Sequence, residues 1–373
     1  MNLLTLTTSP FFGGPERQMI GLADSLAETA PEIRHYLTSF PEHGASCPFL
    51  EKIAESGHQS IELHYDFPKI LKASKELRHV IQEKKIDLIL ANGYNARFIS
   101  LLAARRLPCK IVGVSRGWTS EDWKMALKTR LDYWMHKKMD HVVAVSEGQA
   151  EKIRKIGVPK NRITVIRNAI QTKRFDKIPD PKNREKLEKM FPTKPTFLLG
   201  AAGRFSPEKG YDILLEAVSY LKNESFSVGL VLFGDGFLKN ALEKMVARIK
   251  IENMIKIPGF VENLDELLPH FDIFVQSSHS EGLPNVLLEA MAVETAVVAT
   301  DVGGTAEVVE NNVTGVIVPP NNAQELANQI RYLLSQPDKL PLMGKAGRKR
   351  VENLFSFRKQ AELYLTVFEK ILQ

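Results

Sequence analysis

The sequence has little cysteine and no long hydrophobic run. Its two cysteines, Cys47 and Cys109, are too few for a disulfide framework, and they show no spacing typical of a metal site. No apolar stretch approaches the roughly 18 residues that a membrane-spanning helix needs. The N-terminal MNLLTLTTSP has no basic segment before its apolar run, which argues against a signal peptide. These absences predict a cytoplasmic location.

Long runs of one charge are also missing. We find no Lys/Arg tract, no zinc-finger spacing and no motif for stacking single strands, so nucleic-acid binding is not expected. The formal net charge is nevertheless +6. This excess indicates either a solvated basic surface or an attraction to anionic ligands or to an anionic membrane face.

What the sequence does contain is a regular alternation of strand and helix patterns. A chain of 373 residues favours two domains over one core. Short apolar runs alternate with helical patterns in both halves, which predicts an α/β fold with parallel sheets covered by helices. The predicted strands are residues 3–8, 33–38, 59–63, 87–91, 110–115, 141–145, 163–166, 196–203, 228–233, 254–257, 272–276, 296–299 and 315–318.

The boundary between the predicted domains lies where this alternation stops. Residues 168–195 hold four prolines and many charges, which is typical of a linker. We therefore assign residues 1–170 to an N-terminal domain, 171–194 to a linker and 195–354 to a C-terminal domain.

Two carboxylates bracket the turn that follows the predicted strand 272–276. Glu281 lies in the loop and Glu289 on the next predicted helix, where Pro284 suits the first turn. The backbone of residues 282–286 at this helix start offers an anion site. An isolated pair with this spacing is most often two solvated carboxylates, so its interpretation depends on other clusters.

A second cluster follows the predicted strand 196–203. Gly203 permits a close backbone approach, and Arg204 and Lys209 place two cations in one loop. Two such cations can neutralise a diphosphate and stabilise it as a leaving group. Alone they could equally be two exposed surface charges. Together, the two clusters favour a nucleotide sugar as ligand.

The strand ends of the first half carry weaker candidates. Gly13 and Gly14 could let the backbone approach a ligand, or could form a plain turn. Asn92 and Tyr94 could bind hydroxyl groups, or could simply end a strand. Arg116 is either an anion-binding residue or half of a surface salt bridge.

Residues 121–138 form a basic helical pattern with an apolar stripe. The stripe comprises Leu127, Leu131, Trp134 and Met135, and the surrounding cations are Lys124, Lys128, Arg130, Lys137 and Lys138. Such a helix can lie in a membrane interface. Packing of the stripe against the core gives the same pattern and is the favoured interpretation.

Several segments together resemble the family-4 retaining glycosyltransferases of the GT-B fold. They are the sequences FGGPER, VSEGQ, RNAIQTKRF, GRFSPEKG, EGLPNVLLEAMA and DVGGTAEVVENNVTG. The similarity covers nearly the whole chain and is strongest over residues 195–320. It implies two Rossmann-like domains facing a central cleft, with the helix near 355–373 crossing back onto the first domain.

The resemblance also implies roles for individual residues. Arg204 and Lys209 would hold the diphosphate of a UDP- or GDP-sugar, Glu289 the ribose hydroxyls and Glu281 the donor sugar, so that Glu281, Arg204 and Lys209 form the catalytic set. The remaining donor-binding residues would be Gly13, Gly14, Gly203, Val261, Gly282, Leu283, Pro284 and Asn285. The acceptor would lie near Glu16, Arg17, Asn92, Tyr94 and Arg116.

The implied reaction needs no cofactor and keeps the anomeric configuration. Front-face attack would let the departing phosphate take the acceptor proton, and the sequence has no D-x-D motif of a metal-dependent transferase. Two positions depart from the family pattern. Many relatives have His in the loop where this chain has Ser115-Arg116-Gly117, and Asn168-Ala169 replaces the usual Asn-Gly. A histidine role is thus not expected here.

The implied acceptor is a glycan or a lipid-linked sugar, in the synthesis of cell-surface polysaccharide or lipopolysaccharide. The basic charge allows a peripheral contact with the inner face of the plasma membrane. Alternative functions on the same scaffold are a nucleotide-sugar epimerase, a phosphorylase or another GT-B enzyme, or a non-catalytic subunit that binds nucleotide sugars.

Overall fold

A computed structural model describes residues 1–8, 12–41, 48–117, 123–222 and 224–373, without the side chains of residues 123–129. The predictions that concern Cys47, Lys124, Leu127 and Lys128 therefore lie outside the described residues. The chain divides into two compact units. Unit 1 comprises Met1–Ala169 and Phe357–Gln373, and unit 2 comprises Ile170–Ser356.

Strands and helices alternate along both units. The strands are β1 Asn2–Thr8, β2 Arg34–Phe40, β3 Gln59–Ser60, β4 Leu88–Asn92, β5 Lys110–Ser115, β6 His141–Ala144, β7 Ile163–Val165, β8 Phe197–Ala202, β9 Val228–Phe233, β10 Ile255–Gly259, β11 Ile273–Gln276, β12 Ala296–Thr300 and β13 Val316–Val318. The helices are α1 Gly14–Thr29, α2 Pro48–Glu55, α3 Ile70–Glu83, α4 Tyr94–Ala103, α5 Trp123–Lys138, α6 Glu147–Lys155, α7 Pro181–Glu188, α8 Tyr211–Ser219, α9 Lys239–Arg248, α10 Leu264–Leu267, α11 Asn285–Ala292, α12 Thr305–Val308, α13 Ala323–Leu334, α14 Lys339–Leu354 and α15 Phe357–Leu372.

The sheet of unit 1 is parallel, with the strand order β3-β2-β1-β4-β5-β6-β7 within the described residues. Its strands are apolar because helices cover both faces, as in other parallel sheets. In β1, for example, Leu3, Leu4 and Leu6 are fully buried. The strand order reverses between β1 and β4, which makes this the topological switch point of the unit.

The last helix of the chain belongs to unit 1. Helix α15 packs against α1 so closely that a Cβ at Gly21 would lie 2.2 Å from the ring of Phe357. Gln360 on α15 donates to the side-chain oxygen of Gln18 on α1, at 3.2 Å. Gln18 in turn bonds both backbone groups of Ala169, which ties the two helices to the end of the sheet.

The sheet of unit 2 is also parallel, in the order β10-β9-β8-β11-β12-β13 for the described strands. Numbered within the unit, this order is 3-2-1-4-5-6, the doubly wound arrangement of nucleotide-binding domains. Its switch point lies between β8 and β11. The predicted α/β class with two parallel-sheet domains is therefore confirmed.

Some predicted elements differ in detail. The predicted strand 59–63 pairs only at Gln59–Ser60. Helix α7 lies inside the predicted linker, yet Arg184 on it bonds Asp272 of unit 2 at 3.1 Å. The domain boundaries and the central cleft stay predictions. Among the described residues, we find no helix with both the length and the apolarity to cross a membrane.

The described part of α5 buries a different face from the one predicted. Met135 of the predicted stripe is buried, but Leu131 and Trp134 are 36% and 48% exposed. The buried positions include two polar residues, Asp132 and His136. Asp132 lies 2.7 Å from the guanidinium of Arg97 on α4, so this face of the helix binds a buried charge.

Candidate functional site

The loops after β8 and β11 meet at the switch point of unit 2. The ammonium of Lys209 lies 2.7 Å from one carboxylate oxygen, Oε1, of Glu281. A second bond joins the two loops, because the side-chain hydroxyl of Ser277 donates to the backbone carbonyl of Lys209 at 3.0 Å. Since ligands of doubly wound sheets bind at this crevice, the two loops form the candidate site.

The carboxylate of Glu281 has two further donors. The hydroxyl of Ser278 and the side-chain amide of Gln276 donate to the same Oε1, at 2.7 and 3.1 Å. The other oxygen, Oε2, accepts no hydrogen bond from the residues that the structure describes. The side chain is 11% exposed. One oxygen is therefore held by the protein, while the other can accept a hydrogen bond from a ligand.

Two glycines allow this close approach of loops. Gly210 has φ +57°, and a Cβ there would lie 2.3 Å from the carbonyl oxygen of Ser277. Gly303 has φ +56°, and a Cβ there would lie 2.0 Å from the carbonyl oxygen of Glu281. Any larger residue would be both strained and in collision. The segments that follow β8 and β12, the two neighbours of β11, therefore lie directly against the backbone of the Glu281 loop.

Arg204 and Gly203 begin the loop that ends at Lys209. Arg204 is exposed, and its side chain has no ion-pair or hydrogen-bond partner among the described residues. Gly203 packs over Tyr211, because a Cβ there would lie 2.7 Å from the phenol oxygen. Burial, with the negative charges of Glu281 and Glu208, raises the pKa of Tyr211, so its hydroxyl stays neutral. The unpaired cation of this loop is thus Arg204.

Helix α11 presents the remaining donor candidates. It begins at Asn285, so Pro284 lies just before the helix rather than in its first turn. Gly282, Leu283 and Pro284 are buried, whereas Asn285 and Glu289 are partly exposed. The predicted apolar stripe is confirmed, since it is fully buried on the opposite face: Leu287, Leu288 and Met291. Glu289 therefore lies on the partly exposed side of the helix.

Val261 lies in a different loop of unit 2. It follows β10 and the positive-φ residue Gly259, and it is partly exposed. Its neighbour Phe260 is 66% exposed. This loop lies at the same carboxyl edge of the sheet as the loops after β8 and β11.

Arg116 lies at the carboxyl end of β5 in unit 1. Its guanidinium donates to the amide oxygens of Asn92 and Asn168, at 3.2 and 3.0 Å. Burial lowers its pKa, against opposing effects of Tyr364 and Glu16. Arg116 thus links the end of β4 to the segment that follows β7.

A small cavity of about 10 Å³ lies beside this guanidinium. Arg116 and Gln360 are among the residues that line it. Arg116 Nε and Gln360 Oε1 are buried and have no hydrogen-bond partner among the described residues. A donor and an acceptor in a space of this size suit about one water molecule. Tyr94, the other candidate here, is half-buried, and burial raises its pKa.

The candidates at the start of α1 have local roles. Glu16 is buried, and its carboxylate accepts from the backbone N–H of Gly13 at 2.9 Å, which caps the helix. The guanidinium of Arg17 lies 6.0 Å from the ring centre of Phe12. Gly13 and Gly14 are partly exposed. Their predicted contacts with donor or acceptor stay predictions.

Gln276, Ser278 and Tyr211 were not among the sequence-based candidates. Gln276 is the last residue of β11 and Ser278 lies in the Gly-bearing loop that follows, where such residue types are common. Their position could have indicated a role, because side chains at the carboxyl end of a strand in a doubly wound sheet lie at the edge where ligands bind. Only the tertiary structure shows that Gln276 and Ser278 donate to Glu281.

Both halves of the chain match known glycosyltransferase families. Residues 182–350 match the family described as glycosyl transferases group 1, and residues 12–174 match glycosyltransferase family 4. The chain belongs to the group 1 glycosyltransferases. It has their GT-B architecture of two Rossmann-like domains and is a transferase enzyme.

Individual relatives of this glycosyltransferase are distant. It is 29% identical over 221 residues to the capsular polysaccharide biosynthesis glycosyltransferase CapM of Staphylococcus aureus, a match that spans 58% of this chain and only 57% of CapM. It is 27% identical over 353 residues to the lipopolysaccharide core biosynthesis glycosyltransferase LpsE of Rhizobium meliloti (strain 1021), which covers 95% of both chains. Anabaena HepE, solved in complex with UDP-glucose, superposes with a TM-score of 0.86 at 22% identity, over 99% of this chain and 100% of that one.

Proposed function

We propose that this glycosyltransferase moves a sugar from a nucleoside diphosphate sugar to a glycan or lipid-linked acceptor. The observation that carries the proposal is the contact between Lys209 and Glu281 at the switch point of unit 2. A cation and a carboxylate side by side suit a ligand that carries phosphate next to hydroxyl groups. A nucleotide sugar is such a ligand.

The donor would use both charges of the site. Lys209 and the unpaired Arg204 bind the diphosphate, and the open oxygen of Glu281 accepts from a hydroxyl of the sugar. Glu289 binds the ribose. HepE, whose fold is shared, was solved with UDP and with UDP-glucose, which favours a uridine nucleotide as donor. A GDP-sugar is the alternative.

The reaction would keep the anomeric configuration and use no metal ion. The bond from the anomeric carbon to the β-phosphate oxygen breaks, and the acceptor oxygen bonds to the same face of that carbon. The departing phosphate takes the acceptor proton. Two cations aimed at the diphosphate stabilise the charge that develops on it.

The acceptor would belong to a cell-surface polysaccharide. The names of CapM and LpsE point to capsule and to the lipopolysaccharide core. Asn92, Tyr94 and Arg116 lie at strand ends or helix starts of unit 1 and are the acceptor candidates. A peripheral contact with an anionic membrane fits the net charge of +6.

Thermal shift with a panel of donors tests the proposal. We expect one of UDP-glucose, UDP-galactose, UDP-N-acetylglucosamine or GDP-mannose to raise the melting temperature. A ligand at 100 times its Kd stabilises by about 2.7 kcal/mol. Retention of this shift in EDTA would support a metal-independent donor site. A chain that responds to none of these donors, nor to UDP and GDP, would contradict the proposal.

Product analysis tests the reaction itself. We expect free nucleoside diphosphate only when an acceptor is added, and an NMR coupling at the new anomeric carbon that matches the donor. Release of a changed nucleotide sugar without acceptor would indicate an epimerase instead. An inverted anomeric signal would contradict front-face transfer.

A further inference from the structure

One carboxylate oxygen of Glu281 accepts hydrogen bonds from three side chains. Its Oε1 accepts from Lys209 Nζ, Ser278 Oγ and Gln276 Nε2, at 2.7, 2.7 and 3.1 Å. The ammonium of Lys209 is also proposed to bind the diphosphate. The two neutral donors, Ser278 and Gln276, are assigned no other ligand contact. Ser278 is 1% exposed and Gln276 5% exposed, so water has little access to them.

The two neutral donors are themselves fixed by buried threonines. The hydroxyl of Thr300, at the end of β12, donates to the carbonyl of Ser278 at 2.6 Å. Thr305, fully buried at the start of α12, donates to the side-chain oxygen of Gln276 at 3.5 Å. This long contact agrees with the orientation of the amide, whose nitrogen donates to Glu281 at 3.1 Å. The support therefore reaches the neighbouring strand and helix.

We propose that Gln276 and Ser278 are positioning residues for the donor sugar, acting through Glu281. They hold one carboxylate oxygen in place when the ammonium of Lys209 turns to the diphosphate. The other oxygen then stays aimed at a hydroxyl of the sugar. The inference rests on the proposed function, because it assigns these residues to the same donor site.

The proposal separates binding of the sugar from binding of the nucleotide. Loss of either donor frees the carboxylate to follow Lys209, which removes a bond to the sugar but none to the diphosphate. A purely structural role would weaken both ligands together. The pair of Kd values for a nucleotide and its sugar therefore distinguishes the two roles.

The experiment uses the full chain and isothermal titration calorimetry with two probe pairs, UDP with UDP-glucose and GDP with GDP-mannose. For the pair that the wild type binds, Ser278→Ala and Gln276→Met each raise the Kd of the nucleotide sugar by about tenfold, since a hydrogen bond to a charged group is lost. The Kd of the nucleotide alone changes less than about twofold.

A double-mutant cycle with Glu281→Ala gives the decisive result. If Ser278 acts through the carboxylate, Ser278→Ala has no further effect on sugar binding once Glu281 is Ala. Multiplying effects in the double variant would overturn the proposal. So would equal weakening of nucleotide and nucleotide sugar in both single variants.

Thr295→Val is the matched control. It removes another buried hydroxyl of unit 2, which donates to the carbonyl of Leu268 at 2.8 Å away from the Glu281 loop. We expect it to lower the melting temperature without changing the ratio of the two Kd values.

If Ser278→Ala does not fold, Gln276→Met carries the test. Failure of the wild type to bind either pair would overturn the proposed function and this inference together. Binding with an unchanged ratio would overturn the inference alone.

Discussion

Two ion pairs of equal length show how differently the two units use charge. Lys209 and Glu281 of unit 2 are 2.7 Å apart, as are Arg97 and Asp132 of unit 1. The side chains of the first pair are 23% and 11% exposed, those of the second 7% and 4%. The first pair joins two loops at strand ends. The second joins helices α4 and α5 inside the unit.

The two pairs differ in how many of their hydrogen-bonding groups already have a partner. The guanidinium of Arg97 contacts Asp132 through two nitrogens and donates through a third to the carbonyl of Val114 at 2.8 Å. It has few free donors. The ammonium of Lys209 has one described acceptor, and Oε2 of Glu281 has no described donor. A saturated pair stabilises a fold, whereas an unsaturated pair can exchange partners with a ligand.

The largest expected effect is on the buried pair. Asp132→Ala leaves the guanidinium of Arg97 buried without a carboxylate, which costs about 3–5 kcal/mol in the free energy of unfolding. Urea denaturation measures it. The Kd for a donor nucleotide in the remaining folded protein should not change. Glu151→Ala, which removes an exposed partner of Arg154 in the same unit, is the control and should leave the unfolding curve where it is.

Removing the open pair should affect activity instead. Lys209→Ala or Glu281→Ala is expected to lower the rate of sugar transfer by about 10²–10³-fold, as for loss of a preorganised charge-stabilising group. The melting temperature should stay near that of the wild type. Glu224→Ala, which breaks a surface pair with Arg331 in unit 2, is the matched control. Full transfer activity in both site variants would refute the candidate site.

Replacing the whole buried pair should cost much less than breaking it. In Arg97→Met combined with Asp132→Leu, no charge is left buried, and such replacements are often neutral or stabilising. We expect the double variant to recover most of the stability lost in Asp132→Ala, measured by the same urea titration. A double variant less stable than Asp132→Ala would show that the pair contributes net stability, contrary to this comparison.

The smallest expected effect is a difference in acid sensitivity. In unit 1, burial lowers the pKa of His141 from 6.5 to about 4 and that of His35 from 6.5 to about 3. Because these histidines bind protons more readily when unfolded, stability is fully present above pH 6.5 and falls as the pH drops through this window. In unit 2, burial lowers the pKa of His270 as well.

Tryptophan fluorescence can follow unit 1 separately, because the three tryptophans all lie before residue 135. Between pH 6.5 and 5, we expect the urea midpoint from tryptophan fluorescence to fall more than the midpoint from far-UV circular dichroism. His141→Gln should reduce the fall. Equal shifts for both signals would contradict the greater acid sensitivity of unit 1.

The sequence alone determined the fold class and named charged candidates for the site. Hydrophobic periodicity is local, so the alternation of strands and helices could be read along the chain. Arg204, Lys209 and Glu281 could be named because they lie in loops between a predicted strand and the next predicted helix. Glu289 could be named because it lies on the helix that follows Glu281. The residues at the carboxyl edge of a parallel sheet follow from the same alternation.

The tertiary structure alone decided which of these groups touch. Lys209 and Glu281 are far apart in sequence and meet only because β8 and β11 are neighbours in the sheet. Gln276 and Ser278 became candidates only because both side chains contact the carboxylate of Glu281. The buried face of α5 was predicted wrongly in part, because Arg97 from another helix makes burial of Asp132 favourable. Contacts of this kind depend on strand order and on partners distant in sequence, and periodicity carries no information about either.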